Sequence, residues 1–272
     1  MPAISFKDKQ IYYEVHGTGK PLFILNGIMM STASWVIFLP YLAAHHQVVL
    51  LDFLDQGQSS KMAGETYKQD LQVEVVKAVM DNLGFNRINL LGISYGGEVA
   101  LQFAIKYTAI VDKLLLFNTC AATSPWLHDI GIGWKIAAAR HDAELFYHVS
   151  IPVIYSPSFY TQNAQWMADR KKLLLSVFDE NFLGSVTRLI DSAEGYDVVA
   201  SLPNITADTL VVGSDFDFIT PLPDQLAIQQ AIRGAKFVEI KNSGHASMYE
   251  QPQMFLTLVN GFLSAEQLSL VN

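Results

Sequence analysis

Ile88-Asn89-Leu90-Leu91-Gly92-Ile93-Ser94-Tyr95-Gly96-Gly97-Glu98-Val99-Ala100-Leu101 runs from an apolar, strand-length segment through a glycine-flanked serine into a helix-forming series. A serine held at the tip of such a strand–turn–helix junction is pushed out beyond the edge of the sheet. The turn is sharp, and side chains two positions either side would collide with the strand and the helix, so glycine is needed at both. The bare G-x-S-x-G pattern arises by chance in roughly one chain in ten of this length, given ordinary glycine usage. Its placement between a buried strand and a helix makes it specific. The helix behind Ser94 adds free N–H groups and a dipole that favour negative charge there.

Working outward, short β-branched and leucine-rich runs alternate with helix-length segments, the pattern of an α/β chain with a parallel sheet covered on both faces. Ala3–Phe6 and Ile11–Val15 read as an opening hairpin around Lys7-Asp8-Lys9. Buried strands are predicted over Pro21–Leu25, Val48–Asp52, Ile88–Leu91, Lys113–Phe117, Thr209–Gly213 and Phe237–Ile240. Helices are predicted over Trp35–Ala44, Tyr67–Asn82, Gly96–Lys106, Pro223–Ile232 and Pro252–Leu263. From about 124 to 202 the alternation stops and the chain reads as helices alone, for example Asp129–Tyr147 and Asn163–Val177. That stretch is expected to be a helical cap inserted into one domain spanning 1–272.

A serine hydroxyl is a weak nucleophile until an imidazole accepts its proton. Of seven histidines, only His245 follows directly on a late core strand, where it can face Ser94. The imidazole in turn needs an acid to fix its tautomer. Gly213-Ser214-Asp215-Phe216-Asp217-Phe218-Ile219-Thr220-Pro221 offers two, Asp215 and Asp217. Asp217 is preferred because of the Thr-Pro that closes the loop behind it; Asp215 can instead cap a local turn. Acyl transfer also develops charge on a carbonyl oxygen, which two backbone N–H groups would stabilise. The expected donors are those of Tyr95 and of Ile28, in the loop after the strand Pro21–Leu25.

These four blocks, in this order, resemble the α/β-hydrolase superfamily across essentially the whole chain, and Asp52–Ser59 looks like that superfamily's turn after its fourth strand. The order Ser94, Asp217, His245 is also that of the superfamily. The resemblance implies an α/β-hydrolase fold: a mostly parallel, eight-stranded-type sheet flanked by helices, with an inserted helical cap. Two positions depart from the common pattern. Asn26 stands where most members have histidine, and Asp55 where most have glycine; an asparagine amide can still brace its loop by hydrogen bonds. Asn26-Gly27-Ile28-Met29-Met30-Ser31-Thr32-Ala33-Ser34 further resembles the branch holding rhamnolipid-precursor synthases and 3-hydroxyacyl carrier-protein transacylases, which implies a fatty-acyl or hydroxyacyl substrate.

Composition narrows the partners. The net charge of −8 and pI near 5.3 disfavour nucleic acid and anionic membrane surfaces. No apolar run is long enough to span a bilayer, and the N-terminus shows no signal-peptide pattern. Cys120 is the sole cysteine, so no intrachain disulfide and no cysteine metal site are possible. A water-soluble, cytoplasmic protein is expected, with no metal and no cofactor, since the glycine-rich turn is accounted for by the serine elbow. Eight aromatic residues between Trp126 and Trp166 either line an acyl pocket or form the cap's own core.

The leading expectation is a serine hydrolase cleaving a small or medium apolar ester, thioester or lactone. Acyl transfer to another acceptor with the same triad is the alternative. A non-hydrolytic role on the fold, as ligand receptor or lyase, is the third.

Overall fold

Eight strands form one sheet, the central ones being apolar runs buried on both sides and the edge ones only partly buried. In the structure, a computed structural model that describes residues 3–265, Ala3–Phe6 (β1) and Lys9–His16 (β2) make the opening antiparallel hairpin. Residues 1–2 and 266–272 of the expected domain lie outside the described residues. Pro21–Leu25 (β3), Gln47–Leu51 (β4), Ile88–Ile93 (β5), Val111–Phe117 (β6), Asp208–Ser214 (β7) and Lys236–Ile240 (β8) complete the sheet. The spatial order is β1-β2-β4-β3-β5-β6-β7-β8, with β1 and β2 antiparallel and every pair from β4 to β8 parallel.

Successive side chains on a strand point to opposite faces, and both faces here are covered. Phe23, Leu25, Leu114 and Leu116 pack with Asp70–Asn82 (α2, after the short Leu39–Ala43, α1) and Tyr95–Lys106 (α3). Leu22, Ile24, Leu115 and Phe117 pack on the other side with Trp35, Phe38 and Phe255. Between β6 and β7 come Pro125–Ala138 (α4), Ala143–Ile154 (α5), Pro157–Gln162 (α6), Ala164–Val177 (α7) and Glu180–Ser192 (α8). These five helices build their own apolar cluster around Trp134, Phe146, Tyr147 and Phe178. Leu222–Ala231 (α9), Ser247–Glu250 (α10) and Pro252–Ser264 (α11) follow. Among the described residues no helix is long and apolar enough to cross a membrane.

Two predicted helices break where local chemistry says they should. Trp35–Ala44 is a short 3-10 turn, Thr32–Trp35, followed by α1. Pro40 cannot donate to a continuing helix and sits in the first turn of α1 instead. Asp129–Tyr147 is likewise split between α4 and α5. His141 turns left-handed there (φ 52°), and the Asp142 carboxylate accepts the Leu145 N–H at 3.0 Å to start α5.

Register aligns the working edge. Leu25 pairs with Gly92, Ile93 with Phe117, and Phe117 with Val212, so β3, β5, β6 and β7 end together. The residues that follow them, Asn26, Ser94, Asn118 and Asp215, emerge at one carboxyl edge, where open α/β sheets bind ligands.

Glycine at the elbow is a packing requirement. A Cβ on Gly96 would lie 2.2 Å from the Leu25 carbonyl oxygen, and one on Gly92 would lie 2.4 Å from that of Gly96. These are backbone atoms and cannot swing aside. Gly96→Ala is therefore expected to cost roughly 3 kcal/mol in urea unfolding. It should also lower turnover in the folded fraction, because β3 would have to move and carries the Asn26–Ile28 loop with it.

Candidate active site

Ser94 holds a left-handed backbone (φ 54°, ψ −123°) between β5 and α3. That strain is fixed from both sides: its N–H donates to Phe117 O at 3.0 Å, and its carbonyl accepts from Thr119 Oγ1 at 2.8 Å. The hydroxyl so presented donates to His245 Nε2 at 2.8 Å. His245 Nδ1 donates to both oxygens of Asp217, at 2.9 and 3.0 Å, which puts the ring proton on Nδ1 and leaves Nε2 as acceptor. The structure thus brings Ser94, His245 and Asp217 into one chain of hydrogen bonds across 151 sequence positions.

Asp217 is buried and surrounded by donors. Its carboxylate accepts the Ile219 and Thr220 N–H groups, the Thr220 hydroxyl, and the side-chain amides of Asn118 and Gln225, all within 3.0 Å. Burial by itself would raise this carboxyl; His245 and the hydrogen bonds outweigh it and hold the group below the usual carboxylate range. Asp215, the other candidate on the loop, turns away and accepts the Ser243 N–H at 3.2 Å.

Tyr95 is the first residue of α3, so its N–H has no partner within the helix. Ile28 follows Gly27, at which a Cβ would come within 3.5 Å of the Ser94 Cβ. Both N–H groups therefore belong to residues flanking the Ser94 hydroxyl, and both residues line the cavity above it. The loop of Ile28 is braced through Asn26. Its amide donates to Leu51 O at 2.9 Å and accepts from the Trp35 indole at 2.7 Å, while Gln56 donates to Gly27 O at 2.8 Å. The asparagine that departs from the common histidine thus makes bonds on both sides.

The cavity holds about 160 Å³ and lies between the sheet edge and the helices α4, α5, α7 and α8. Its walls are mainly aliphatic, including Ile28, Met29, Leu127, Ile151 and Leu174. Of the eight aromatics between Trp126 and Trp166, only Trp134 and Tyr155 reach it. Phe146 and Tyr147 form the interior of the helical insert, and Trp126 is exposed. Arg170 also lines the cavity, with its guanidinium carbon 4.8 Å from the Tyr249 ring centre and Nε without a hydrogen-bond partner. Among the described residues no group of His, Cys, Asp or Glu side chains could hold a metal ion.

Sequence reasoning missed three contributors. Asn118 joins Asp217 to Ser247, whose hydroxyl donates to Asn118 Oδ1 at 2.6 Å. Gln225 supports the same carboxylate from α9. Glu98 stands one helical turn beyond Ser94, buried and on the cavity wall. The only signal in the sequence was a charge amid apolar helix residues. Glu98 accepts from Gln69 at 2.6 Å and from the Cys120 thiol at 3.4 Å. Burial pushes its carboxyl up to about 7 against those bonds.

That displacement makes stability pH-dependent. The folded chain keeps the Glu98 proton to about pH 7, whereas an ordinary glutamate loses it near 4.5. Between those values the native state binds more protons than the unfolded one, so stability falls as pH rises. Glu98→Gln removes this slope. The variant should gain about 3 kcal/mol on the native protein between pH 4 and pH 8, read by denaturant unfolding at both pH values.

With this geometry in hand, comparison places the chain. Residues 20–252 match the family model for the alpha/beta hydrolase fold, and the chain belongs to that family as a hydrolytic enzyme. A crystal structure of MGS-M2, an alpha/beta hydrolase enzyme from a Medee basin deep-sea metagenome library, superposes with a TM-score of 0.96 at 43% identity, covering 100% of both chains. The 2-hydroxy-6-oxo-2,4-heptadienoate hydrolase of Pseudomonas putida is 25% identical, over 92% of this chain and 91% of its own. The 2-hydroxymuconate semialdehyde hydrolase of a Pseudomonas species is 26% identical, over 91% and 88%.

Proposed function

We propose that the protein is a serine hydrolase that cleaves small or medium, largely apolar carboxylic esters, thioesters or lactones through an acyl-enzyme, with the helical insert at about 124–202 acting as a cap over the site. The observation that carries the reading is the relay of hydrogen bonds from Ser94 through His245 to Asp217, at 2.8 and 2.9 Å, opening into an aliphatic cavity.

In this mechanism His245 Nε2 takes the Ser94 proton as Oγ attacks the carbonyl carbon, and Asp217 stabilises the imidazolium. The developing oxyanion is met by the N–H groups of Tyr95 and Ile28. His245 then returns the proton to the leaving alcohol or thiol. Water, deprotonated by the same imidazole, attacks the acyl-Ser94 ester and releases the acid and the free serine.

The test is reaction with a p-nitrophenyl ester of a short acyl chain. A burst of p-nitrophenol equal to the enzyme concentration, together with fluorophosphonate labelling of Ser94, is expected. Absence of both would overturn the reading. The Arg170 guanidinium on the cavity wall, whose Nε has no hydrogen-bond partner, extends the substrate set to compounds with a free carboxylate. So do the oxo-acid compounds named for the Pseudomonas relatives, and the panel should include mono-esters of a dicarboxylic acid.

A further inference from the structure

The loop that carries His245 is fastened on both sides to the helical insert. Glu250, buried at the end of α10, lies between them. Its Oε1 accepts the Gly244 N–H at 3.0 Å and the Ser156 N–H at 2.9 Å, and its Oε2 accepts the Ser156 hydroxyl at 2.5 Å. On the far side of the histidine, the Ala246 N–H donates to the Ile154 carbonyl at 3.1 Å. The approach is close: a Cβ on Gly244 would lie 2.6 Å from Ser156 N and 2.8 Å from Ile154 O. Both chain neighbours of the imidazole therefore take their positions from the α5–α6 junction, Ile154–Ser156.

Asp217 sets the rotation of the His245 ring but does not locate its backbone. The backbone bonds of residues 244 and 246 do: that of Ala246 ends on Ile154 of the insert, and that of Gly244 ends on Glu250, which in turn holds Ser156 of the insert. We propose that Glu250 is a positioning residue for His245, and that seating of the α5–α6 junction against it sets the reach of the imidazole to Ser94. The inference rests on the reading of Ser94 and His245 as nucleophile and base. Docking of the insert and alignment of the base are then one event.

The physical scale supports a large effect. A carboxylate holding three donors makes charge-assisted bonds, stronger than neutral ones, and a misplacement of about 1 Å at a reacting group can cost about 10²-fold in rate. The coupling also reaches the ligand, because Ile154 and Tyr155 of the junction line the cavity. Tyr249, next to Glu250, is held from α7 by Trp166 at 6.2 Å and Arg170 at 4.8 Å between group centres. A substrate that presses on the insert presses on the mount of the base.

Glu250→Gln keeps the size of the side chain and removes the charge that gathers these donors. Its kcat on a short ester should fall about 10–100-fold with KM within about twofold. The downfield NMR signal of the His245 Nδ1 proton shared with Asp217 should broaden or vanish, while the thermal midpoint moves only a few degrees. Ser156→Ala, on the insert and away from the ligand, should shift the same readouts in the same direction by a smaller factor, and it stands in if the first variant does not fold. An unchanged kcat overturns the proposal, as does a rate that falls only in step with the folded fraction while the signal persists. If Ser94→Ala proves active, the nucleophile reading fails separately, and the His245 proton signal in Glu250→Gln still decides the positioning.

Discussion

Replacing Ser94 by alanine is expected to lower ester turnover by about 10⁴–10⁶-fold with the fold intact. The substitution removes only an oxygen at the cavity floor, and the left-handed backbone remains pinned by Phe117 and Thr119. His245→Ala should cost nearly as much, and the double variant no more than either alone, because the groups act as one unit. Asp217→Asn is more damaging than a change of charge suggests. Every neighbour within reach of that carboxylate is a donor: the His245 ring, two backbone N–H groups, one hydroxyl and two amides. An asparagine NH₂ would face mainly donors, with the Thr220 hydroxyl as the neighbour able to accept from it without a flip or a change of tautomer. A rate loss of about 10⁴ with a clear drop in stability should follow, measured by steady-state kinetics and thermal unfolding.

The second large effect lies outside the site. Asp55 sits where a left-handed backbone is needed (φ 72°), which explains why glycine is common at this position. What the aspartate adds is a link to α8. Its carboxylate, fully buried, accepts from Arg188 at 2.6 Å, from the Tyr67 hydroxyl at 3.0 Å and from the Met62 N–H at 2.9 Å. Arg188→Ala leaves this charge enclosed with too few partners, and breaking such a pair costs about 3–5 kcal/mol. In a chain of this size the thermal midpoint should drop by roughly 6–15 °C. Replacing both partners, Asp55→Gly with Arg188→Met, should cost less than Arg188→Ala alone, since no unpaired charge remains. Differential scanning calorimetry of the three proteins would decide it. A midpoint in Arg188→Ala within about 2 °C of the native value would show that the pair does not anchor the insert.

Much of the fold was legible because strands buried on both faces read as continuous apolar runs, and helix starts carry local signals. The errors fell where those signals were present but outvoted by hydrophobic periodicity: Pro40 in the predicted helix at 35–44, and Asp142 in that at 129–147. At the site, the elbow announced itself because its glycine spacing is a local pattern between strand and helix; Gly92 answers to Gly96 close by, whereas Gly96 itself answers to Leu25 on the neighbouring strand. Asn118, Gln225 and Glu98 did not, since each matters only through a partner that the closed sheet brings near.

The linear order of residues therefore fixed what depends on near neighbours: the alternation of strands and helices, the glycine-flanked serine, and the order in which acid and histidine follow it. Folding alone decided the rest. It carried Asp217, which the Thr-Pro of its loop had already favoured over Asp215, to the imidazole, enclosed Glu98 so that its proton persists to about pH 7, and joined Asp55 to Arg188 and Glu250 to Ser156. The reason is range. A turn or a helix start is settled by groups within one or two turns of chain, whereas a carboxylate's partners and its exclusion from water are settled by segments that meet only when the sheet is built.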